Sequence, residues 1–200
     1  MQRVSWSAWS MSSAGSGSVS ESAARRLNWG CGTEPPDGWI NCDIKEGAGI
    51  DISCDIREGL PLEASSFDYV VSVHALPELP YPDVEPALTE LHRVLKPGGV
   101  LRLALPDFEK AMRAYSEGNA DYFLIPDDDV RSLGGKLIVQ MTWYGYSKSM
   151  YTFDFAEELL YRSGFRRAVR CGYQETVSDH PEITALDNRE RESFFVDAFK

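Results

Sequence analysis

The sequence predicts an α/β protein with a largely parallel sheet, and two patterns indicate this fold class. Strand-like apolar segments alternate along the chain with segments whose apolar residues recur at helical spacing. The run FDYVVSV at residues 67–73 is largely apolar, as is typical of a strand buried on both faces. The 200 residues, 43% of them hydrophobic and 26% charged, suffice for one globular domain with a sizeable core.

The first half of the chain contains four predicted strands and one predicted helix. The strands are expected at residues 25–29, 39–44, 50–56 and 67–73. The helix is expected at 83–95, with Asp83 as its N-cap and Pro97-Gly98-Gly99 as its stop. Because few residues separate the first three strands, the early helices of the fold should be shortened or absent.

The second half is expected to complete the sheet. Strands are predicted at 100–105, 165–173 and 193–199, and helices at 107–115 and 152–163. The segment 117–150 is less regular and rich in aromatic residues. We expect it to form a cap over a ligand site at the edge of the sheet. Residues 1–22 are rich in serine and predict a disordered or loosely docked arm, followed by one domain at 23–200.

Charge and cysteine content exclude several classes of partner. The formal net charge is −11, and an acidic surface repels nucleic acid and anionic membranes. No apolar run reaches the roughly 18 residues that a membrane-spanning helix needs. The four cysteines form no CxxC pair, so we expect free thiols, no bound metal and a cytoplasmic protein.

Polar and glycine residues follow four successive predicted strands, where a ligand of a parallel sheet would bind. They are Gly30-Cys31-Gly32 after the first strand, Asp43 at the end of the second, Asp55 at the end of the third and Ser72-Val73-His74 at the end of the fourth. Since the carboxyl ends of parallel strands share one edge, these groups should lie together.

The residue types in this set fit an adenosine-type ligand without phosphates. A glycine turn admits the ligand closely, Asp43 can accept both ribose hydroxyls, and Asp55 with the Ile56 N–H can bind adenine. The alternative, NAD, requires a third glycine and a helix N-terminus for the pyrophosphate. Here Pro35 stands at the third glycine position, and no helix is predicted after the turn.

Three phrases resemble the class I S-adenosylmethionine-dependent methyltransferases, and more narrowly a small bacterial type 11-like group. The phrases are RLNWGCGTEPPDGWINCDI, DISCDIREGLPLEASSFDYVVSVHALPEL and ELHRVLKPGGVLRLALPDFEKAMRAY. The resemblance implies a Rossmann-like fold with a mostly parallel seven-stranded sheet, and S-adenosylmethionine as cofactor. The residues that it would place around the cofactor are Asn28, Gly30, Cys31, Gly32, Asp43, Ile44, Asp55, Ile56, Ser72, Val73 and His74.

The same resemblance implies a methyltransferase, and three readings of its activity stay open. The first is methyl transfer to a small-molecule acceptor, with His74 as the candidate catalytic base and Tyr81, Trp143 and Tyr144 as candidate acceptor contacts. The second is a cofactor-binding or scaffold protein without turnover, which Pro77 allows because related proteins often carry an acid there. The third is a protein methyltransferase.

Overall fold

A computed structural model gives the structure of residues 24–200, in which seven strands form one sheet. The predicted N-terminal arm at 1–22 lies outside these described residues. The strands are β1 (Arg26–Trp29), β2 (Ile40–Asp43), β3 (Ile52–Ser53), β4 (Phe67–Val73), β5 (Leu95–Pro106), β6 (Arg167–Cys171) and β7 (Ser193–Phe199). Their order across the sheet is β3-β2-β1-β4-β5-β7-β6. Pairing is parallel from β3 to β5, whereas β7 runs antiparallel to both of its neighbours.

Four α-helices accompany the sheet, and all of them follow β4 in the chain. They are α1 (Tyr81–Val94), α2 (Phe108–Ser116), α3 (Leu133–Thr142) and α4 (Phe153–Arg162). Between β1 and β4 the described chain forms no α-helix, and the short 3₁₀ helix Ile56–Glu58 is the nearest equivalent. The predicted fold, a mostly parallel seven-stranded α/β sheet with reduced early helices, is therefore confirmed. No helix of residues 24–200 is long and apolar enough to cross a membrane.

Three predicted details of the first half differ from the structure, and the first two are the length of β3 and the start of α1. The strand expected at 50–56 shrinks to β3, because Asp51 turns back to accept a hydrogen bond from the Asn41 N–H and Asp55 caps a 3₁₀ helix. Helix α1 begins at Tyr81, so Asp83 lies in its first turn and is not the N-cap. Proline has a fixed φ suited to a first helical turn, which explains the earlier start at the Pro80-Tyr81-Pro82 sequence.

The predicted stop at Pro97-Gly98-Gly99 also has a different role. Helix α1 ends at Val94, and β5 begins at the next residue and runs through this tripeptide. The pairing of β5 with β4 shifts between Phe67 and Tyr69, so the tripeptide forms a bulge in the strand.

The two faces of the sheet are covered in different ways. Helices α1 and α4 cover one face, where Leu88 and Leu159 join the main apolar core. The opposite face is covered by the chain between β6 and β7, which contains a 3₁₀ helix at Pro181–Thr184. Its Ile183 packs in a second apolar cluster with Trp39 and Tyr69. We call residues 172–192 the covering segment.

A fully buried arginine fastens the covering segment to the sheet. Arg102 of β5 donates to Asp187 at 2.5 Å and to Asp197 of β7 at 2.9 Å, and all three side chains have no exposed surface. Its guanidinium also donates to the backbone oxygens of Glu175 and Gly172. These hydrogen bonds use both terminal nitrogens of the guanidinium group, so each charge in the cluster has a partner of opposite sign.

Candidate functional site

A cleft of about 700 Å³ opens at the carboxyl edge of the parallel strands. Its floor is formed by the ends of β1, β2 and β4 and by the chain just after β3. Residues 140–148, from α3 onward, form one wall, and residues 185–192 of the covering segment form another. The edge predicted from strand ends is therefore the edge that carries the cleft.

The structure brings the candidate cofactor residues together around this cleft, with one exception. The lining includes Asn28, Gly30, Cys31, Gly32, Asp43, Ile44, Asp55, Ile56, Val73 and His74. Ser72 lies behind the lining, 1% exposed, and its hydroxyl has no hydrogen-bond partner among the described residues. The roles of these residues toward a cofactor stay predictions.

The glycine turn after β1 is held tightly against the end of β2. The N–H groups of Gly30 and Cys31 both donate to the carbonyl oxygen of Cys42, at 2.8 and 3.1 Å. Gly30 and Gly32 have φ values of 72° and 71°, which glycine adopts without strain. A Cβ atom added at Gly30 would lie 2.1 Å from the Cβ of Ala75, so the turn touches the chain that follows β4.

Asp43 links β2 to this turn and faces the cleft. One carboxylate oxygen accepts the Gly32 N–H at 2.9 Å, and the other accepts the Lys45 N–H at 3.1 Å. A carboxylate offers about four lone-pair directions, so two remain for a ligand's hydroxyl groups. This geometry is compatible with the predicted ribose contact.

Asp55 has an ionic partner that the sequence pattern did not indicate. The Arg57 guanidinium contacts both carboxylate oxygens, at distances of 2.5 to 2.9 Å. Hydrogen bonding from Arg57 lowers the pKa of Asp55, against an opposing effect of burial. An adenine amino group would share the carboxylate with Arg57, which also lines the cleft. No hydrogen bond from the Ile56 N–H to another described residue is present, so this donor faces no competing acceptor.

His74 occupies the end of β4 in a left-handed conformation, with φ at 56°. Its Nε2 lies 2.7 Å from the hydroxyl oxygen of Ser193, the first residue of β7. Burial, with a smaller effect of the Arg189 charge, lowers the pKa of His74 to about 3. The ring is therefore neutral at physiological pH and a weak proton acceptor, which favours an orienting role. The predicted role as a catalytic base stays a prediction.

The candidate acceptor contacts are divided by the structure. Trp143 lines the cleft, whereas Tyr81 and Tyr144 lie outside its lining. The ring of Tyr81 stacks on Phe155 with 5.9 Å between centroids, and the Tyr144 hydroxyl donates to Asp129 at 2.6 Å.

Several cleft residues were missed by sequence reasoning. The wall beside Trp143 also contains Gln140, Met141 and Lys148, and the covering segment contributes Asn188, Arg189 and Glu192. A signal for the first of these exists in the sequence, because Gln140 is the one polar residue in the run LIVQM of α3. The covering segment carries no comparable periodic signal, since it is mostly irregular chain.

The cysteines are free thiols, as expected. Cys31 and Cys54 line the cleft, and the sulfur atoms of Cys42 and Cys54 lie 3.5 Å apart. Burial raises the pKa of Cys31 to about 11 and that of Cys42 further, so these thiols are protonated at neutral pH. Within residues 24–200 no group of three or more His, Cys, Asp or Glu side chains is placed to hold a metal ion.

Comparison with known proteins supports the interpretation of this cleft. Residues 12–103 match a family model described as a methyltransferase domain. A comparison with curated proteins finds no match.

The chain shares its fold with solved methyltransferase structures. A SAM-dependent methyltransferase of Thermotoga maritima is 21% identical, with 88% of this chain and 82% of that chain covered and a TM-score of 0.58. One from Archaeoglobus fulgidus is 16% identical, with coverage of 89% and 87% and a TM-score of 0.56. A methyltransferase of Haloferax volcanii, solved in complex with the Trm112 activator, is 14% identical. The match covers 88% of this chain and 82% of that chain, with a TM-score of 0.51. The expected class I fold is therefore confirmed, and the expected resemblance to methyltransferases is confirmed by the family model that matches residues 12–103.

Proposed function

We propose that this chain, which matches the methyltransferase-domain family and has the class I fold, transfers a methyl group from S-adenosylmethionine to a small-molecule acceptor. The observation that carries the proposal is the convergence of the glycine turn, Asp43 and the Asp55–Ile56 pair on one cleft. Between β1 and β2 no helix N-terminus is present to hold a pyrophosphate. The site therefore suits a nucleoside ligand that carries no phosphate group.

The residues have distinct proposed roles toward the cofactor. Asp43 holds the ribose, Asp55 and the Ile56 N–H contact adenine, and the turn at Gly30–Gly32 accommodates the methionine part. The neutral ring of His74, fixed by Ser193, limits the position of the reacting groups at the end of β4. When bound, S-adenosylmethionine supplies a methyl group that its sulfonium charge already activates.

The acceptor side follows from the same geometry. Methyl transfer is an in-line displacement, so the protein contributes mainly by orienting the acceptor and excluding water. Because His74 is a weak proton acceptor, the site favours an acceptor atom that needs no deprotonation, such as an amine nitrogen or a carboxylate oxygen. Residues 117–150, which include Trp143 on the wall, form the cap that selects the acceptor.

We place the enzyme in the cytoplasm because its thiols are free.

Isothermal titration with S-adenosylmethionine tests the cofactor assignment. Asp43→Ala should weaken binding at least tenfold, since charge-assisted hydrogen bonds contribute about 1.5–3 kcal/mol each. Asp37→Ala is the matched control, because Asp37 lies on the same β1–β2 connection but outside the cleft lining. If S-adenosylmethionine does not bind to the wild type, the proposal is wrong. If Asp43→Ala and Asp37→Ala bind it equally well, Asp43 does not contact the cofactor.

A further inference from the structure

We propose that Cys42 and Cys54 form a redox-sensitive site, where a peroxide joins the two thiols in a reversible disulfide that weakens binding of the cofactor. Their sulfur atoms lie 3.5 Å apart, and Cys54 lines the cleft. Formation of the disulfide does not depend on the proposed methyltransferase function. Its effect on the binding of S-adenosylmethionine rests on that function.

The contact between the two sulfur atoms is a consequence of the register between β2 and β3. Cys42 lies opposite Ile52 in this parallel pair, and side chains two residues apart on a strand point to the same face. Cys54 comes two residues after Ile52, and its N–H donates to the carbonyl oxygen of Asp43 at 2.9 Å, which continues the register. The two thiols are therefore held side by side. Among residues 24–200 they are the one pair of cysteines joined by a hydrogen bond.

An oxidant reaches this pair from the cleft. Cys42 has no exposed surface, whereas Cys54 is half-buried and lines the cleft. Burial raises the pKa of Cys54, and its hydrogen bond with Cys42 partly offsets this increase. Burial and the same hydrogen bond raise the pKa of Cys42 further. Cys54 therefore ionises first, and its thiolate is the group that attacks the oxidant.

The oxidation consists of two displacements at sulfur and oxygen. The Cys54 thiolate attacks one oxygen of hydrogen peroxide, the O–O bond breaks, and a sulfenic acid and one molecule of water form. The Cys42 sulfur then attacks the Cys54 sulfur, so that the S–S bond forms and the S–O bond breaks. The hydroxyl group leaves with the Cys42 proton as a second water. Peroxide is reduced, two thiols are oxidised, and a dithiol such as dithiothreitol restores both thiols.

The disulfide acts on the cofactor contacts through neighbouring residues in the chain. Asp43 and Asp55, the proposed ribose and adenine contacts, directly follow Cys42 and Cys54 in two matching CDI sequences. At 3.5 Å the sulfur atoms are in contact but not bonded, so bond formation draws the two chain segments together. A binding site tolerates displacements of only about 0.5 Å. We therefore expect the changed spacing of the two carboxylates to weaken cofactor binding.

Peptide mapping after treatment with hydrogen peroxide at about pH 8.5, where thiolates form, tests which thiols are joined. Cleavage before each aspartate releases Cys42 on peptide 37–42 and Cys54 on peptide 51–54, while Cys31 stays on the preceding peptide. We expect 37–42 joined to 51–54, and two separate thiol peptides after addition of dithiothreitol. A disulfide through Cys31, or oxidation without any disulfide, would overturn the proposal.

Titration with S-adenosylmethionine measures the effect on the cleft. The oxidised protein should bind at least about threefold more weakly than the reduced protein, and dithiothreitol should restore the affinity. Since the oxidant enters through the cleft, S-adenosylhomocysteine should also slow disulfide formation. Equal affinity of the oxidised and reduced forms would contradict the proposed effect on binding. Failure of the reduced protein to bind would instead refute the proposed function, so the two failures are distinguishable.

Substitutions connect both measurements to this pair of thiols. Cys54→Ser and Cys42→Ala each remove one sulfur atom, so each should abolish the joined peptides and the redox dependence of the affinity. Cys54→Ser keeps the test decisive if the loss of the buried Cys42 thiol destabilises the fold. Cys171→Ser is the matched control, because Cys171 on β6 is also half-buried but lies outside the cleft lining. Redox-dependent affinity that persists in Cys54→Ser would contradict the proposal.

Discussion

At the scale of single residues, the cleft contains groups whose chemistry is set by their neighbours. Asp55 is paired with Arg57, His74 is kept neutral by burial, and Gln140 is locked by Leu124. These contacts exist only in the folded structure, and Leu124 lies outside the phrases that the sequence analysis used. Sequence position predicted where Asp43, Asp55 and His74 lie, because strand ends fix location. It did not predict their electrostatic state.

The depressed pKa of His74 makes the stability of the protein depend on pH. The folded-state pKa of about 3 lies below the ordinary value of 6.5, so only the unfolded chain binds a proton in that window. The stabilising contribution is present above pH 6.5 and is lost as the pH falls toward 3. Between pH 7.5 and pH 5 the free energy of unfolding should decrease by at most about 2 kcal/mol from this residue.

Denaturant unfolding of the wild type and His74→Asn at these two pH values measures that contribution. Asparagine tolerates the left-handed backbone at this position and does not titrate. The free energy of unfolding of the variant should decrease less between these pH values. The decrease that remains includes a contribution from His92, whose pKa is also lowered by burial. Identical pH dependence in the two proteins would contradict the neutral, buried state of His74.

At the scale of elements, the turn after β1 replaces the helix that usually follows the first strand of such a sheet. Its position depends on contacts with β2 and with Ala75, and not on a helix behind it. The sequence predicted the turn and the missing helix, since the short spacing between strands leaves no room for one. It could not predict the start of α1, where two prolines outweighed the capping preference of Asp83.

Alanine substitutions at the two turn glycines should have unequal effects. Both residues have positive φ, so each alanine costs about 1 kcal/mol in backbone strain. Gly30→Ala also forces its Cβ to within 2.1 Å of Ala75, whereas nothing lies within 4 Å of a Cβ at Gly32. We therefore expect Gly30→Ala to lower the melting temperature and the cofactor affinity clearly more than Gly32→Ala. A reversed order in calorimetry and titration would show that the turn is placed differently.

At the scale of the whole molecule, one buried ion cluster holds the covering segment onto the sheet. Arg102 and Asp197 lie opposite each other in the register of β5 and β7, and Asp187 comes from the covering segment. The sequence holds a trace of this pairing, since VLRLAL and FFVDAF each carry one charge within an apolar run. The location of the third member could not be predicted, because it belongs to irregular chain.

Replacing the central arginine should destabilise the protein strongly. Arg102→Met leaves Asp187 and Asp197 buried without their cation, which costs about 3–5 kcal/mol of unfolding free energy. Arg167→Met is the control, because Arg167 is exposed on β6 and contacts Phe199 at its ring face. A loss below about 1 kcal/mol for Arg102→Met, measured by denaturant unfolding, would show that the cluster is not a stabilising unit.

The dual position of the covering segment has a consequence for how the native molecule opens. The same stretch of chain shields one sheet face and supplies Arg189 and Glu192 to the cleft, and a single guanidinium anchors it at Gly172, Glu175 and Asp187. Its backbone amides should therefore exchange with solvent deuterium as one cooperative block, and not one by one as loop amides usually do. A ligand that fills the cleft would slow the exchange of that entire block, including residues far from any contact with it.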